Sequence, residues 1–275
     1  MSRLNIEDDV YKDDGISEII SDLNAPKEDK VVIIDGDSLP YICGYQPKYD
    51  EFGKETVLHT LENGGYDIVE GYLEEKILEI YNNIEKYFTI KKAYICVKGK
   101  NNPRHKWLES YKSHRTETPA VVKHLQQVLI TKYNAFVAPI GEADDSIYSI
   151  SKTINNEGII CGIDKDLKNI PSIHYSFTKK NFTYVDYKNS RLNFWTQVLV
   201  GDSVDFKGLS PSIGIKYAQK NLSIDFTEEQ YKEAVFLGYM KAWKNNEELA
   251  QKNMDLCYNL VKLWDIEELK QLENE

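Results

Sequence analysis

Short aliphatic runs alternate with segments of helical periodicity through the middle of this 275-residue chain. The clearest run, Val31–Asp35, is continuously aliphatic and ends in a carboxylate, which is typical of a buried parallel strand. Apolar residues recur at helical spacing over residues 69–88, and residues 92–97 resemble a second strand. Such alternation predicts an α/β fold, with a mostly parallel central sheet flanked by helices.

The same alternation continues and then gives way to a helical pattern. Further strands are predicted at residues 135–140, 158–163, 174–177 and 182–186, and helices at 124–132 and 142–155. After Leu192 the pattern is helical, apart from a loop rich in Gly, Ser and Pro at residues 208–214. We therefore expect an N-terminal extension at 1–29 with a peripheral helix around 16–23, an α/β core at 30–190, and a helical subdomain at 191–275.

The charge of the chain is unevenly distributed. The 34 Lys and Arg residues against 44 Asp and Glu give a net charge of −10, which excludes a uniformly basic DNA wrapper such as a histone. Residues 91–132, however, hold ten Lys or Arg and two acids, a net charge of +8, which leaves −18 for the rest of the chain. Trp107 and Tyr111 lie within this basic stretch, and cations interleaved with aromatic rings suit a nucleic-acid backbone and its bases. The alternative is a solvated loop held by salt bridges.

Cysteine usage and hydropathy exclude several classes of protein. The four cysteines lie far apart without a CxxC pair, so neither a disulfide framework nor a structural zinc site is expected. The acidic N-terminus lacks the apolar region of a signal peptide. The longest aliphatic run, Val31–Ile34, is far shorter than the ~20 residues of a membrane span. We expect a cytoplasmic protein with no membrane partner.

Eight carboxylates stand where predicted strands or helices begin or end. They are Asp35, Glu142, Asp144, Asp145, Asp164, Asp166, Asp202 and Asp205. Ligands bind outside the carboxyl ends of the strands in open α/β sheets, so we expect these side chains to gather at one edge. So many carboxylates require cations, and Mg²⁺ or Mn²⁺ suits carboxylate and water ligands. For any single Asp the alternative is a helix cap or a turn.

Five segments, in this order along the chain, resemble the 5′ nuclease superfamily. They are Ile34–Asp37, Lys98–Arg115, Gly141–Asp145, Asp164–Pro171 and Gly201–Ala218. This superfamily comprises flap endonucleases, the 5′ nuclease domain of bacterial DNA polymerase I, and phage 5′–3′ exonucleases. The resemblance is greatest to the phage exonucleases, and it extends from Val31 to about Leu222.

The resemblance implies a PIN-like nuclease core with two further elements. One is a helical arch over residues 98–120, and the other is a helix–three-turn–helix element over residues 202–222. The resemblance further implies that the eight carboxylates bind two Mg²⁺ or Mn²⁺ ions and that a K⁺ ion binds at the helix–three-turn–helix. In the arch it assigns catalytic roles to Lys112, Arg115 and Arg104, because matching residues lie over the scissile phosphate or at the start of the arch. The residues that we expect to bind nucleic acid are Lys98, Lys100, Tyr111, Ser212, Gly214 and Lys216.

Two departures from the superfamily pattern bear on function. Most members have an Asp just before the arch, where this chain has Cys96-Val97. The phosphate-binding turn usually has the pattern Gly-x-x-Gly-x-Gly, and here Leu209 and Ser212 occupy the first two glycine positions. Glycine permits positive φ and close approach of a phosphate, so these replacements reshape the turn.

The resemblance implies a metal-dependent nuclease that cuts DNA phosphodiester bonds at or near 5′ ends, as a 5′–3′ exonuclease or a flap endonuclease. Two divalent ions ~3.5–4 Å apart stabilise the attacking and leaving oxygens of such a reaction. The expected partners are DNA with a free 5′ end, a flap or a nick, and also RNA·DNA hybrids. We expect a monomeric phage enzyme of DNA replication, acting in the host cytoplasm. The alternative is a protein that binds branched or single-stranded nucleic acid and cleaves it poorly or not at all.

Overall fold

Val32, Ile33 and Ile34 are fully buried at the centre of a six-stranded sheet. The computed structural model describes residues 26–274 except 51–52, 59–64, 203–204, 207–208 and 212. The strands are β1 (Asp29–Asp35), β2 (Tyr45–Asp50), β3 (Gly53–Leu58), β4 (Thr89–Val97), β5 (Phe136–Val137), β6 (Ile159–Cys161), β7 (Ser172–Ser176) and β8 (Asn181–Val185). The central sheet has the order β5-β4-β1-β6-β7-β8, and its neighbours are parallel except for β7 with β8.

Helices cover both faces of this sheet. They are α1 (Ser38–Gly44), α2 (Asp67–Glu85), α3 (Arg104–Trp107), α4 (Ala120–Lys132), α5 (Ala143–Thr153), α6 (Tyr187–Val200), α7 (Ile215–Asn221), α8 (Glu228–Ala242), α9 (Glu247–Val261) and α10 (Ile266–Asn274), with a 3₁₀ helix at Lys165–Asn169. Val32 and Ile34 pack with Ile77 of α2, whereas Ile33 packs with Ile147 of α5. Because successive strand residues face opposite ways, a strand covered on both faces must be aliphatic throughout.

The predicted fold class, a mostly parallel sheet flanked by helices, is confirmed. The predicted third strand, residues 135–140, shortens to the two residues of β5. Neither α1 nor the antiparallel pair β2 and β3 was predicted from the sequence. The expected helix around residues 16–23 lies outside the described residues.

The segment expected to form a helical arch, residues 98–120, has little helix. It contains the four-residue α3, turns over residues 109–114, and the first residue of α4. Lys112 has a φ of 55°, which interrupts any regular right-handed helix at that point. Tyr111 is buried against the helices of the C-terminal half, so the turn is held down on the protein.

The C-terminal helices form their own apolar core. Trp195 and Leu199 of α6 pack with Tyr231 and Val235 of α8 and with Cys257 of α9. The helix α7 lies within residues 202–222, where the helix–three-turn–helix is expected. Within the described part of the chain, no helix has the length and apolar character needed to cross a membrane.

The strand order reverses at β1. The chain runs from β1 outward to β4 and β5 on one side, and then returns to β6 on the other side of β1. In open α/β sheets the crevice at such a reversal is where ligands bind. Asp35 ends β1, and Asp164 follows β6, so both carboxylates lie at this crevice.

Candidate functional site

Five carboxylates line one pocket beside the carboxyl ends of the strands. They are Glu142, Asp144, Asp166, Asp202 and Asp205. Lys165 and Gln197 also line the pocket, and the end of α9 closes one side of it through Leu260 and Val261. The pocket therefore lies between the α/β core and the C-terminal helices.

Asp35 extends this acidic region along the end of β1. Its carboxylate accepts hydrogen bonds from the backbone N–H of Asp37 (3.0 Å) and from the hydroxyl of Ser38. Burial raises the pKa of Asp35 to about 7, and the negative charges of Asp37 and Asp164 add to the rise that Ser38 opposes. At Gly162 a Cβ would lie 2.4 Å from Leu167 and 3.4 Å from Asp35. A side chain at position 162 would therefore displace Leu167, next to the end of β6 and Asp35.

The pKa values of Asp144 and Asp166 are raised in the same way as that of Asp35. Burial raises the pKa of Asp144 well above its ordinary value, and Asp164 and Asp35 add to the effect. Burial also raises the pKa of Asp166 to about 8, with Asp164 adding and Lys165 opposing. Like charges that lie close together in a poorly solvated site favour the protonated forms. The carboxylates of Asp35, Asp144, Asp164 and Asp166 therefore repel one another, and the protein's own cations do not neutralise them fully.

Lys112 and Arg115 form ion pairs with two acids of the pocket. The Nζ of Lys112 donates to Glu142 and lies 3.5 Å from Asp205. Arg115 donates from Nε to Asp205 (3.1 Å), and its side chain is half exposed. Burial raises the pKa of Glu142, but the charges of Lys112 and Arg104 outweigh burial, so the pKa is lowered. The structure thus brings these two basic residues to the acidic site.

Lys165 is a cation of the site that sequence reasoning missed. Its Nζ lies 2.9 Å from Asp202, and it is a pocket-lining residue. Its position between Asp164 and Asp166 was the signal available in the sequence. A lysine between two acids is common on protein surfaces, so this signal alone was weak.

Arg104 and Asp145 are paired with each other. Their side chains are 2% and 0% exposed, and two hydrogen bonds of 2.7 and 2.9 Å join them. Two further backbone N–H groups donate to the Asp145 carboxylate. Arg104 was predicted to be catalytic and Asp145 to bind metal. In the structure both side chains are buried, and they bind each other and nearby backbone groups.

The position before the arch is occupied by a buried thiol. Cys96 is fully buried and lies beside Asp35 in the pairing of β4 with β1. Asp37 approaches the same strand end, because its carboxylate accepts a hydrogen bond from the backbone N–H of Lys98 (3.2 Å). Burial raises the pKa of Asp37.

The residues predicted to bind nucleic acid fall into two groups. Lys98, Lys100, Gly214 and Lys216 are exposed, with Gly214 at the start of α7. Tyr111 is only 3% exposed, and its hydroxyl donates to Glu142 at 3.4 Å, so its ring offers no free face for a base. Ser212 lies outside the described residues.

The donor set has the chemistry of a hard divalent cation site, because it consists of carboxylate oxygens. Within the described ranges, no three acidic, histidine or cysteine side chains already converge as a metal-binding group. Glu142, Asp202 and Asp205 are instead bound to Lys112, Lys165 and Arg115. For a metal ion to bind, these acids would therefore have to release their lysine and arginine partners and contact the ion instead.

Neither a protein-family model nor a curated protein matches the sequence. The structure is similar to the flap endonuclease of bacteriophage T5, solved as a variant in a pseudo-enzyme-product complex with DNA and metal ions. The TM-score is 0.51 at 16% identity, covering 83% of this chain and 89% of that chain. A second structure of the phage protein, co-crystallised with metal ions, has a TM-score of 0.47 at 14% identity, covering 84% of this chain and 98% of that one.

The catalytic core of Rad2 in complex with DNA substrate is a further structure that resembles this chain. It has a TM-score of 0.41 at 15% identity and covers 87% of this chain and 77% of that chain. The phage enzyme is a member of the 5′ nuclease superfamily, and its structural similarity confirms the fold that the sequence resemblance implies.

Proposed function

We propose that this protein is a metal-dependent 5′ nuclease that hydrolyses DNA phosphodiester bonds at or near 5′ ends. The observation that carries the proposal is the pocket in which five carboxylates lie next to Lys112 and Arg115, at the switch point of the sheet. Acids hold divalent cations, and nearby basic side chains bind the phosphate that those cations act on. The fold shared with the phage flap endonuclease supports this interpretation.

Seven carboxylates are available to hold Mg²⁺ or Mn²⁺ in the proposed site. They are Asp35, Glu142, Asp144, Asp164, Asp166, Asp202 and Asp205. Such ions, when bound, supply a nucleophilic water and stabilise the leaving oxygen. The raised pKa values of Asp35, Asp144 and Asp166 support the proposal, because carboxylates that lack compensating charge gain most from a cation.

Lys112 and Arg115 would offset negative charge on the scissile phosphate once released from the acids. Arg115 suits this role because its guanidinium is half exposed and presents several donors to phosphate oxygens. Lys98 and Lys100 are exposed after β4 and would bind the DNA backbone. We also propose that the start of α7, with Gly214 and Lys216, binds duplex phosphate together with K⁺.

A protein nucleophile is not needed for this reaction. Burial raises the pKa of the Cys96 and Cys161 thiols, which keeps them protonated and unreactive at neutral pH. Hydrolysis by water releases a 5′-phosphorylated product. The protein's own side chains then bind and orient the phosphate and shield the charge that develops on it.

Substrate panels test the proposal directly. The protein is incubated with 5′-labelled flap, nicked duplex, RNA·DNA hybrid and single-stranded DNA, each with Mg²⁺, Mn²⁺ or EDTA. We expect cleavage near the 5′ end that requires the divalent ion, and the preferred substrate identifies exonuclease, flap or hybrid activity. Asp164→Asn should abolish cleavage while leaving the circular dichroism spectrum unchanged.

A second candidate function is nucleic-acid binding with weak or no cleavage. It is favoured by the buried Cys96 at the position before the arch and by the absence, among the described residues, of a preformed three-acid group. Binding to flap or single-stranded DNA without product under every metal condition would favour this candidate over the nuclease.

A further inference from the structure

Arg104 and Asp145 form a buried ion pair, although 41 residues separate them in sequence. Nη1 of Arg104 donates to Oδ2 of Asp145 (2.7 Å), and Nη2 donates to Oδ1 (2.9 Å). This bidentate geometry fixes the relative orientation of both groups as well as their separation. The pair connects the first residue of α3 to the first turn of α5.

The C-terminal segment, which we define as Leu260–Leu269, contacts both members of this pair. Nε and Nη2 of Arg104 donate to the carbonyls of Leu260 (3.3 Å) and Lys262 (2.8 Å). The backbone N–H of Trp264 donates to Oδ1 of Asp145 (2.8 Å). The ion pair therefore holds the end of α9 and the turn after it.

Asp145 also accepts a hydrogen bond from the backbone at the start of α5. Its Oδ2 accepts the backbone N–H of Glu142 (2.8 Å), the residue before α5. Each of its carboxylate oxygens thus accepts two hydrogen bonds. A fully buried carboxylate with four donors has little capacity left for a metal ion. Asp144, next in the chain, lines the acidic pocket.

Apolar packing locks the same region. Ile140, Ile266 and Leu269 form a small buried cluster, which seats α10 on the turn before α5. Gly141 in that turn has a φ of 81°, and a Cβ there would lie 2.6 Å from an Asp145 oxygen and 2.6 Å from Leu269. Only glycine allows the turn, the carboxylate and the C-terminal helix to approach so closely.

We infer that Arg104 and Asp145 are positioning residues, through which the C-terminal segment sets the orientation of Glu142 and Asp144. The inference rests on the proposed function for the role of those two acids. It differs from what the superfamily resemblance implies, which is a catalytic role for Arg104 at the start of the arch and metal binding for Asp145. The C-terminal segment thereby becomes part of the acidic site rather than an appended tail.

The test compares Arg104→Met with a matched control, Arg191→Met. Arg191 also forms a two-contact pair, with Glu228, but joins α6 to α8 and does not line the pocket. Mn²⁺ binding is measured by calorimetry at a temperature where thermal scans show both variants folded. We expect both substitutions to lower the midpoint of thermal unfolding. Only Arg104→Met should weaken Mn²⁺ binding, by at least tenfold.

Asp145→Asn is the second variant, because it keeps the shape of the side chain and tests the inference even if Arg104→Met does not fold. We expect it to bind the same number of Mn²⁺ ions as the wild type, with reduced affinity. Loss of one ion would identify Asp145 as a ligand and overturn the inference, as would wild-type affinity in either folded variant. A wild-type protein that binds no Mn²⁺ would overturn the proposed function and the inference together.

Discussion

The carboxylate of Asp37 accepts a hydrogen bond from the backbone N–H of Lys98 across 3.2 Å. This contact places an acid at the carboxyl end of β4, next to the position where most superfamily members have an Asp and this chain has Cys96-Val97. Burial raises the pKa of Asp37, and the hydrogen bond from Lys98 only partly opposes the rise. Asp37 is therefore placed to contribute charge where the usual acid is missing.

Asp37→Asn should raise the Mg²⁺ concentration that the proposed cleavage reaction requires. We expect the Mg²⁺ concentration for half-maximal cleavage to rise about tenfold, in line with the 10–100-fold effects of losing groups around a metal site. The measurement is a Mg²⁺ titration of the initial cleavage rate. Glu70→Gln is the control, because Glu70 pairs with His124 on the α2–α4 side of the sheet. Identical titrations for both variants would remove Asp37 from the site.

Arg115→Ala should slow the chemical step more than it weakens binding. Arg115 contacts Asp205 of the pocket while remaining half exposed, so it can reach a phosphate at the site. Loss of one transition-state donor typically lowers the rate about 10²–10³-fold, and we expect the lower end for an exposed side chain. Single-turnover cleavage at saturating protein measures the effect.

Lys132→Ala is the matched control for Arg115→Ala. Lys132 belongs to the same basic stretch, but it pairs with Glu74 at the end of α4, on the surface. Its substitution should change the single-turnover rate less than twofold. Equal rates for Arg115→Ala and Lys132→Ala would count against a role of Arg115 at the phosphate.

The elements with a regular hydrophobic pattern could be predicted from the sequence. In α2, Leu73, Ile77, Ile80 and Ile84 recur at helical spacing, and all are buried in the core. The α1 helix is short and contains Pro40, and such a segment carries too few residues for a periodic signal. Strands and helices that are long enough to show a regular apolar face could therefore be predicted, whereas short elements such as α1 could not.

The candidate site was predictable only in outline. Parallel strands end at one edge, so acids that follow β1 and β6, such as Asp35 and Asp164, could be expected to meet. The pairing of Arg104 with Asp145 and the burial of Tyr111 depend on where the C-terminal helices pack. Local spacing contains no information on such distant contacts. Basic and aromatic residues of the stretch 91–132 were therefore predicted to bind nucleic acid together. In the structure Tyr111 is buried, whereas Lys98 and Lys100 are exposed.

Asp144→Asn should stabilise the metal-free protein while abolishing cleavage. Burial and the neighbouring acids raise the pKa of Asp144, so its charged form opposes folding, and a neutral amide removes that charge. Urea unfolding at pH 8 in EDTA should show a gain larger than the ~0.5 kcal/mol typical of surface substitutions. Asp225→Asn is the control, because Asp225 is an exposed acid paired with Lys188. A destabilised Asp144→Asn protein would contradict this reasoning.

The stability of the metal-free protein should fall as the pH rises from about 5 to 8. The pKa values of Asp35 and Asp166 are raised to about 7 and about 8, so the folded state holds protons that the unfolded state has already released. Each such proton makes the free energy of unfolding fall by roughly 1.4 kcal/mol per pH unit until the folded pKa is passed.

Divalent cations should cancel this pH dependence. Binding displaces the protons from the carboxylates, so the affinity for Mn²⁺ should rise with pH, about tenfold per unit for each proton released. Denaturant unfolding at pH 5, 6, 7 and 8, with EDTA and with Mn²⁺, measures both slopes. We expect stability to decrease with pH in EDTA and to be nearly independent of pH in saturating Mn²⁺, because both the folded and the unfolded carboxylates are then deprotonated. Parallel slopes in the two conditions would show that the ion does not bind at these carboxylates.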